Sequence, residues 1–188
     1  VRAAAVQQLQ DEVDALTARA GPGDITVARL RAQAGKLAPL AGSQAVNGPG
    51  LSVSLNDAKR TAASLPKDFT ADDIVVHQQD VQSVVNALWA GGAEAMTLQD
   101  QRVISTSAVR CVGNTLILQG RVYSPPYTIR AIGDPAAMRA ALDRSEQVTI
   151  YRQYAKLLGL GYEVKTLDKT TFPAYAGSLS LLNAKSLP

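Results

Sequence analysis

The sequence predicts an α+β fold: a helical, coiled-coil-like N-terminal segment, then a mixed, mostly antiparallel sheet with helices on one face, in a ferredoxin-like arrangement. Three observations predict it. Apolar residues recur at spacings of three and four near the N-terminus, the apolar period changes to two at Leu51, and helical and strand patterns then alternate. We therefore expect a helical stalk over residues 1–46 and an α+β domain over residues 47–188.

The composition is that of a folded globular protein. The chain has 188 residues, of which 46% are hydrophobic and 19% charged, a balance that excludes a disordered tail. No stretch approaches the roughly 18 uncharged apolar residues that a membrane-spanning helix needs. The net charge of +3 is spread along the chain, so no concentrated basic stripe predicts nucleic-acid binding.

The N-terminal segment has a short heptad pattern, whose seam is formed by Val6, Leu9, Val13 and Leu16. Only about two heptads are present, fewer than a firm coiled-coil assignment needs, and an amphipathic helix packed on its own domain would have the same spacing. Two alternatives therefore stay open: a coiled coil that forms a weak homodimer through these four residues, or an intramolecular helix. A second helix is expected up to about Pro39, followed by a Gly-, Ser- and Pro-containing linker at residues 41–50.

The main domain begins with a strand, because Leu51, Val53 and Leu55 alternate with polar residues. The clearest helix covers about residues 80–90, where apolar residues fall at helical spacing before Gly91 ends it. The other expected elements are strands at 95–99, 102–112, 115–119, 127–132 and 162–168, a hairpin turn at Asp100-Gln101, and helices at 135–144 and 148–159.

Few residues are suited to catalysis. His77 is the one histidine and precedes the clearest helix, so its simplest role is to cap that helix or to lie at the surface. Cys111 is the one cysteine and lies in an alternating strand, where we expect a buried thiol that acts as a small hydrophobe. No metal-ligand spacing and no phosphate-binding glycine loop is present, and the strands between 95 and 112 lack the aromatic residues that RNA stacking requires. The sequence predicts no catalytic residue, no cofactor and no metal.

Four arginines are the candidate interaction residues: Arg102, Arg110, Arg121 and Arg130. They lie in or beside the strand-rich region, so we expect them to face outward and to form a site for an acidic partner or a phosphate-bearing headgroup. The simpler alternative is that each arginine solvates an exposed sheet face.

Several segments resemble a known family when they are taken together. They are HQQDV at 77–81, VNALWAGGAEAM at 85–96, QDQRV at 99–103 and PYTIRAIGD at 126–134. The combination resembles domain-of-unknown-function family 881, the YlxW/YlxX-like bacterial proteins, in an actinobacterial form. Members of that family usually carry Asn-Gly at the turn where this chain has Asp100-Gln101.

The resemblance implies a place for the protein in the cell. Family members look like single-pass membrane proteins with a coiled-coil stalk and an extracytoplasmic α/β domain, often encoded near division and envelope genes. The resemblance therefore implies that this chain begins just after a membrane span and lies outside the membrane. No catalytic residues are known for the family, so it implies none here.

The leading hypothesis is a non-enzymatic, extracytoplasmic scaffold or adaptor in cell division or envelope assembly, whose partners are proteins of that machinery. The alternative is a small-ligand-binding or hydrolytic domain with a cleft site near His77, Asp80 and Arg102.

Overall fold

The computed structural model describes residues 35–177 continuously, together with positions 15, 29 and 32. Residues 35–37 are helical and lead through turns into the first strand. The strands are β1 (Val46–Asn56), β2 (Ala95–Leu98), β3 (Gln101–Val103), β4 (Val109–Val112), β5 (Thr115–Leu118), β6 (Arg121–Tyr123), β7 (Tyr127–Ile132) and β8 (Gly161–Phe172). The helices are α1 (Gln78–Ala90), α2 (Pro135–Arg144) and α3 (Glu146–Leu158), and short 3-10 helices lie at Ala62–Ser64 and Ala71–Ile74.

The main sheet has five strands in the order β3-β2-β7-β1-β8. The β1-α1-β2 connection crosses over β7, and the connection from β7 through α2 and α3 to β8 crosses over β1, so two β-α-β units are interleaved. The antiparallel character predicted from the sequence is confirmed. Every hydrogen-bonded pair of neighbouring strands among the described residues is antiparallel, so the parallel pairing that a mixed sheet implies is not found in this part of the chain.

The core lies between one face of this sheet and the three helices. Leu51, Val53 and Leu55 of β1 are fully buried, and they join side chains of α1 such as Val81 and Leu88 in one apolar cluster. Successive strand residues point to opposite faces, so Ser52 and Ser54 lie on the other side, where they are half-buried. The alternation in the sequence therefore predicted both the strand and the face it buries.

The helix ends follow the local signals. The side chain of Asp134 accepts a hydrogen bond from the backbone N–H of Ala136 at 2.8 Å, with Pro135 at the first helical position. Gly91 ends α1 where this helix meets α2, and a Cβ there would lie 2.7 Å from the Cα of Met138. The glycine is therefore needed for the close approach of the two helices.

A second sheet has three strands in the order β4-β5-β6, and Leu116 and Leu118 of β5 are buried in the same apolar cluster as the main sheet. The single strand expected at 102–112 is wrong, because residues 104–108 leave the extended pattern and divide it into β3 and β4. β6 was not expected from the sequence. It has three residues and is held by pairing with β5, which no local pattern reveals.

The linker expected at 41–50 is also wrong in part, because β1 already begins at Val46. This half of β1 pairs with the far half of β8, and Val46 lies opposite Phe172. Gly50 allows a close approach of β7, since a Cβ there would overlap the carbonyl oxygen of Ala131. The glycines look like linker residues in the sequence, whereas the long-range pairing makes them part of a strand.

The seam of Val6, Leu9, Val13 and Leu16 lies outside the described residues, as does most of the stalk expected over 1–46. The end of that range is described, and it is helical only at residues 35–37 before β1 begins at Val46. Within the part of the chain that the structure describes, no helix is long and apolar enough to cross a membrane.

Candidate functional site

The four candidate arginines do not form one surface. Arg110 and Arg121 are exposed on the small sheet, and Arg130 is half-buried on β7. Arg121 is already paired with the carboxylate of Asp100. Arg102 is only 4% exposed, so the expectation that it faces solvent is wrong.

Arg102 joins two chain segments that are distant in sequence. It lies on the sheet face away from the helices, and its Nη1 donates to the carbonyl oxygens of Gln44 at 3.3 Å and Pro173 at 3.1 Å. The segments before β1 and after β8 are also linked directly, because the N–H of Tyr175 donates to the carbonyl of Gly42 at 2.8 Å. We call Arg102 with the carbonyls of Gln44 and Pro173 the arginine clasp. Both partners of the guanidinium are backbone carbonyls and neither is a charged group, so Arg102 connects two segments of the backbone.

Burial makes the clasp electrostatically costly. Desolvation lowers the pKa of Arg102 from its ordinary value. Three buried polar atoms have no hydrogen-bond partner among the described residues: the Nε of Arg102, the Nε of Arg130 and the Oγ1 of Thr97. These residues are cross-strand neighbours, since Thr97 lies opposite Arg102 on one side and Arg130 on the other. Arg102, Thr97 and Arg130 therefore form a polar row across three strands, but this row is not a solvent-facing binding surface.

His77 and Asp80 lie on the other side of the sheet, in a cavity of about 480 Å³ between the start of α1, the preceding 3-10 helix and α3. His77 is the residue before α1, and its backbone N–H donates to the carboxylate of Asp80 at 2.8 Å. The Nε2 of His77 lies 3.0 Å from the carbonyl oxygen of Asp72. His77 occupies the N-cap position of α1, but its side chain makes no capping hydrogen bond to the helix. The Asp80 carboxylate instead accepts the backbone N–H of His77.

Three carboxylates line this cavity: Asp72, Asp73 and Asp80. We call it the acidic groove. Burial raises the pKa of Asp80 in spite of the hydrogen bond from His77. The pKa of Asp73 is lowered, because its carboxylate accepts hydrogen bonds from the backbone and the hydroxyl of Thr70. Asp72 has a side chain that is 83% exposed and makes one loose contact, 3.7 Å from His77.

The opposite wall of the groove is apolar and aromatic. It is formed by α3, with Ile150, Tyr151 and Tyr154. Tyr151 is buried and donates to the carbonyl of Gly161 at 2.9 Å, and desolvation raises the pKa of its hydroxyl. Tyr154 is 41% exposed and meets Phe69 edge-on, with ring centroids 6.2 Å apart.

Helix α3 also carries exposed apolar side chains at helical spacing. Ile150, Tyr154 and Leu157 are 46%, 41% and 52% exposed, and they follow one another at i, i+4 and i+7. We call these three residues the α3 stripe. The sequence reading found the core-facing set of this helix, which includes Val148 and Leu158, and missed this one. The signal was a second apolar series in the same helix.

Cys111 is exposed, so the expectation of a buried thiol is wrong. Its strand β4 is an edge of the small sheet, and its outward N–H donates to the side chain of Gln78 at 3.3 Å. Cys111 shares an open depression with His77, but no hydrogen bond joins the two side chains among those described.

The cleft expected near His77, Asp80 and Arg102 is assembled in part. His77 and Asp80 share the acidic groove, whereas Arg102 is in the clasp on the other face of the sheet. Among the described residues, no group of three His, Cys, Asp or Glu side chains has the arrangement that a metal ion needs.

Comparison with known proteins gives the family. The model of a family described as bacterial protein of unknown function (DUF881) matches residues 33–185. UPF0749 protein Rv1823 of Mycobacterium tuberculosis is 33% identical over 151 residues, which are 79% of this chain and 49% of that protein. UPF0749 protein YlxW of Bacillus subtilis is 31% identical over 102 residues, 54% of this chain and 42% of that protein.

A solved structure extends the similarity to the fold. It is the crystal structure of an uncharacterized conserved protein from Mycobacterium tuberculosis, with a TM-score of 0.61 and 26% identity. The match covers 82% of this chain and 99% of that one. The chain spans about half the length of the curated relatives it matches. As the sequence segments indicated, the chain belongs to the DUF881 family of bacterial proteins of unknown function.

Proposed function

We propose that this chain is a non-enzymatic adaptor module that binds protein partners of the division or envelope machinery on the outer side of a bacterial membrane. The observation that supports it is the α3 stripe, whose three large side chains remain exposed while another face of the same helix is buried in the core. A helix that is apolar on two faces has a second surface suited to packing. We expect fold stability to depend on the buried face and not on the exposed one.

The four arginines support this role less well. Of the four, Arg102 is held in the clasp and Arg121 in its pair with Asp100. Arg130 is half-buried and donates to the carbonyl of Gln99, so Arg110 is the one of the four left as an exposed charge. Exposed rim charges affect the rate of association more than affinity. The proposed docking surface therefore moves from the arginines to α3.

The proposal includes a location and a domain plan. The family resemblance supports a single membrane span elsewhere in the full protein, a helical stalk within residues 1–46 and an extracytoplasmic domain over 47–188. The strand order supports a ferredoxin-like classification of the domain. Weak pairing through Val6, Leu9, Val13 and Leu16 stays a prediction.

A small-ligand role is the second candidate, and the 480 Å³ volume of the acidic groove favours it. A hydrolytic mechanism is less well supported, because Arg102 does not lie at the groove. In addition, the Asp80 carboxylate is used to hold the backbone of His77.

Proximity labelling of the full-length protein in its own cells tests the adaptor proposal. The double variant Ile150→Ser, Leu157→Ser removes the stripe, and Val122→Ser is the matched control, because Val122 is 61% exposed on the small sheet. We expect the set of labelled envelope proteins to lose members with the double variant and to be unchanged with the control. Identical labelling by all three proteins, or labelling of cytoplasmic proteins alone, would overturn the proposal.

A further inference from the structure

The acidic groove and the α3 stripe form one continuous surface. Ile150 and Tyr154 belong to both, since they line the groove and also form two of the three positions of the stripe. Asp72, Asp73 and Asp80 lie on the opposite wall. A ligand that covers the stripe would therefore lie beside three carboxylates.

The charge of the residues that line the groove is one-sided. The residues that line the groove include three aspartates and neither lysine nor arginine. His77 is the one base among them, and its ring faces the backbone and the side chain of Asp72. Arg152 of α3 is already paired with Asp143 at 2.7 Å. The groove is thus negative on a chain whose net charge is +3.

The carboxylates differ in how free they are to meet a ligand. The carboxylate of Asp73 accepts hydrogen bonds from the backbone N–H and the hydroxyl of Thr70, and one oxygen of Asp80 accepts the backbone N–H of His77. Asp72, which is 83% exposed, has no hydrogen bond to its side chain among those described. A cationic group that enters the groove would meet Asp72 first and the second oxygen of Asp80 deeper in.

We propose that the acidic groove and the α3 stripe together bind a partner segment that carries both apolar and basic side chains. The apolar residues of the segment cover Ile150, Tyr154 and Leu157, and its Lys or Arg side chains lie along the aspartates. Aromatic anchors beside complementary charge are the arrangement that gives protein interfaces their affinity and register. This inference rests on the proposed adaptor function and specifies the chemistry of its partner.

Two synthetic peptides test it by fluorescence anisotropy against the full chain. The first is an amphipathic peptide of Leu and Lys in helical register, and the second has Glu at every Lys position. We expect the Lys peptide to bind, the Glu peptide not to bind, and the affinity to fall as salt is added, because exposed charges are screened.

Charge reversal locates the site. Asp72→Lys changes the exposed carboxylate of the groove, and Asp168→Lys is the matched control, because Asp168 is an exposed aspartate on β8 that does not line the groove. We expect Asp72→Lys to weaken binding of the Lys peptide by about fivefold or more, and Asp168→Lys to change it by less than about twofold. Urea unfolding of both variants checks that the fold is intact.

Three results would overturn the inference: no binding of the Lys peptide, equal binding of the Glu peptide, or equal weakening by the two charge reversals. If one of them occurs while labelling in cells still depends on Ile150 and Leu157, the adaptor function stands and the chemistry assigned to its partner is wrong.

Discussion

The two sides of the five-stranded sheet use charged residues in opposite ways. On the helical side, the carboxylates lie at the rim of an apolar core, and the exposed one, Asp72, borders an open groove. On the other side, a guanidinium is buried and holds two backbone segments together through their carbonyls. A charged side chain that is free at a rim can meet a partner, whereas one that is buried is already used by the fold.

The comparison explains why the arginines were misleading as a docking surface. An arginine in an alternating strand has the same local sequence whether solvent or another segment covers it. The segments that cover Arg102 lie 58 and 71 residues away in the chain. Residue type alone therefore indicates which bonds a side chain can make, and not which bonds it has made.

The largest expected effect is on the helical side. Leu88 of α1 is 0% exposed, so Leu88→Ala leaves a cavity in the core. We expect a loss of about 2–5 kcal/mol in the free energy of unfolding, measured by urea denaturation. Leu157→Ala is the control, since Leu157 is 52% exposed on α3. Similar losses for the two leucines would contradict the assignment of the stripe as dispensable for the fold.

The intermediate effect concerns the arginine clasp. Arg102→Ala leaves the carbonyls of Gln44 and Pro173 without their donor, and we expect a loss of about 1–3 kcal/mol. Amide hydrogen exchange should quicken at Tyr175, because the segments before β1 and after β8 have lost the side chain that holds them together.

Two further variants sharpen this prediction. Arg102→Met keeps an apolar side chain of similar length and removes the unpaired buried Nε, so it should cost less than Arg102→Ala. Arg130→Ala should cost less as well, because Arg130 is half-buried and makes one bond, to the carbonyl of Gln99 at 3.3 Å. If Arg130→Ala is the more damaging variant, the clasp is not what holds the segments.

The smallest effect is a pH dependence at Asp80. Burial raises the pKa of Asp80 in the folded state above its ordinary value of 3.8, so the folded state binds a proton more readily than the unfolded state. Stability therefore rises as pH falls from the folded pKa towards 3.8, and the ionised carboxylate costs stability above that window.

Asp80→Asn isolates this effect, because the amide can still accept the N–H of His77 and does not titrate. We expect the wild-type protein to gain stability relative to the variant as pH falls through the window, in paired urea titrations. A difference that is constant with pH would mean that Asp80 has an unperturbed pKa.

Local sequence patterns predicted much of the fold. The spacing of Val81 and Leu88 predicted α1, and Asp134-Pro135 predicted the start of α2. What failed was decided by pairing between distant segments. Val46 joins β1 through Phe172, and β6 exists through its pairing with β5. The local sequence around Val46 does not indicate its pairing with Phe172, and the local sequence of β6 does not indicate its pairing with β5.

The candidate site was predictable to a smaller extent. His77 and Asp80 were placed at a cleft, and they do share the acidic groove. Arg102 was assigned to the same cleft, although β3 presents it on the opposite face of the sheet. The sequence of α3 contains the second apolar series that forms the stripe. It does not indicate that these side chains are exposed. Burial depends on what else packs against the helix.

The sequence by itself determined the class of fold, the family, most helices and strands, and the alternation that buries one face of β1. These properties depend on neighbours within a few residues, where helical and strand periods and capping act. The tertiary structure decided which charges are free. Arg102 became a clasp, and Asp72 and the α3 stripe came to border one groove, because segments far apart in the chain meet only when the sheet and helices have assembled.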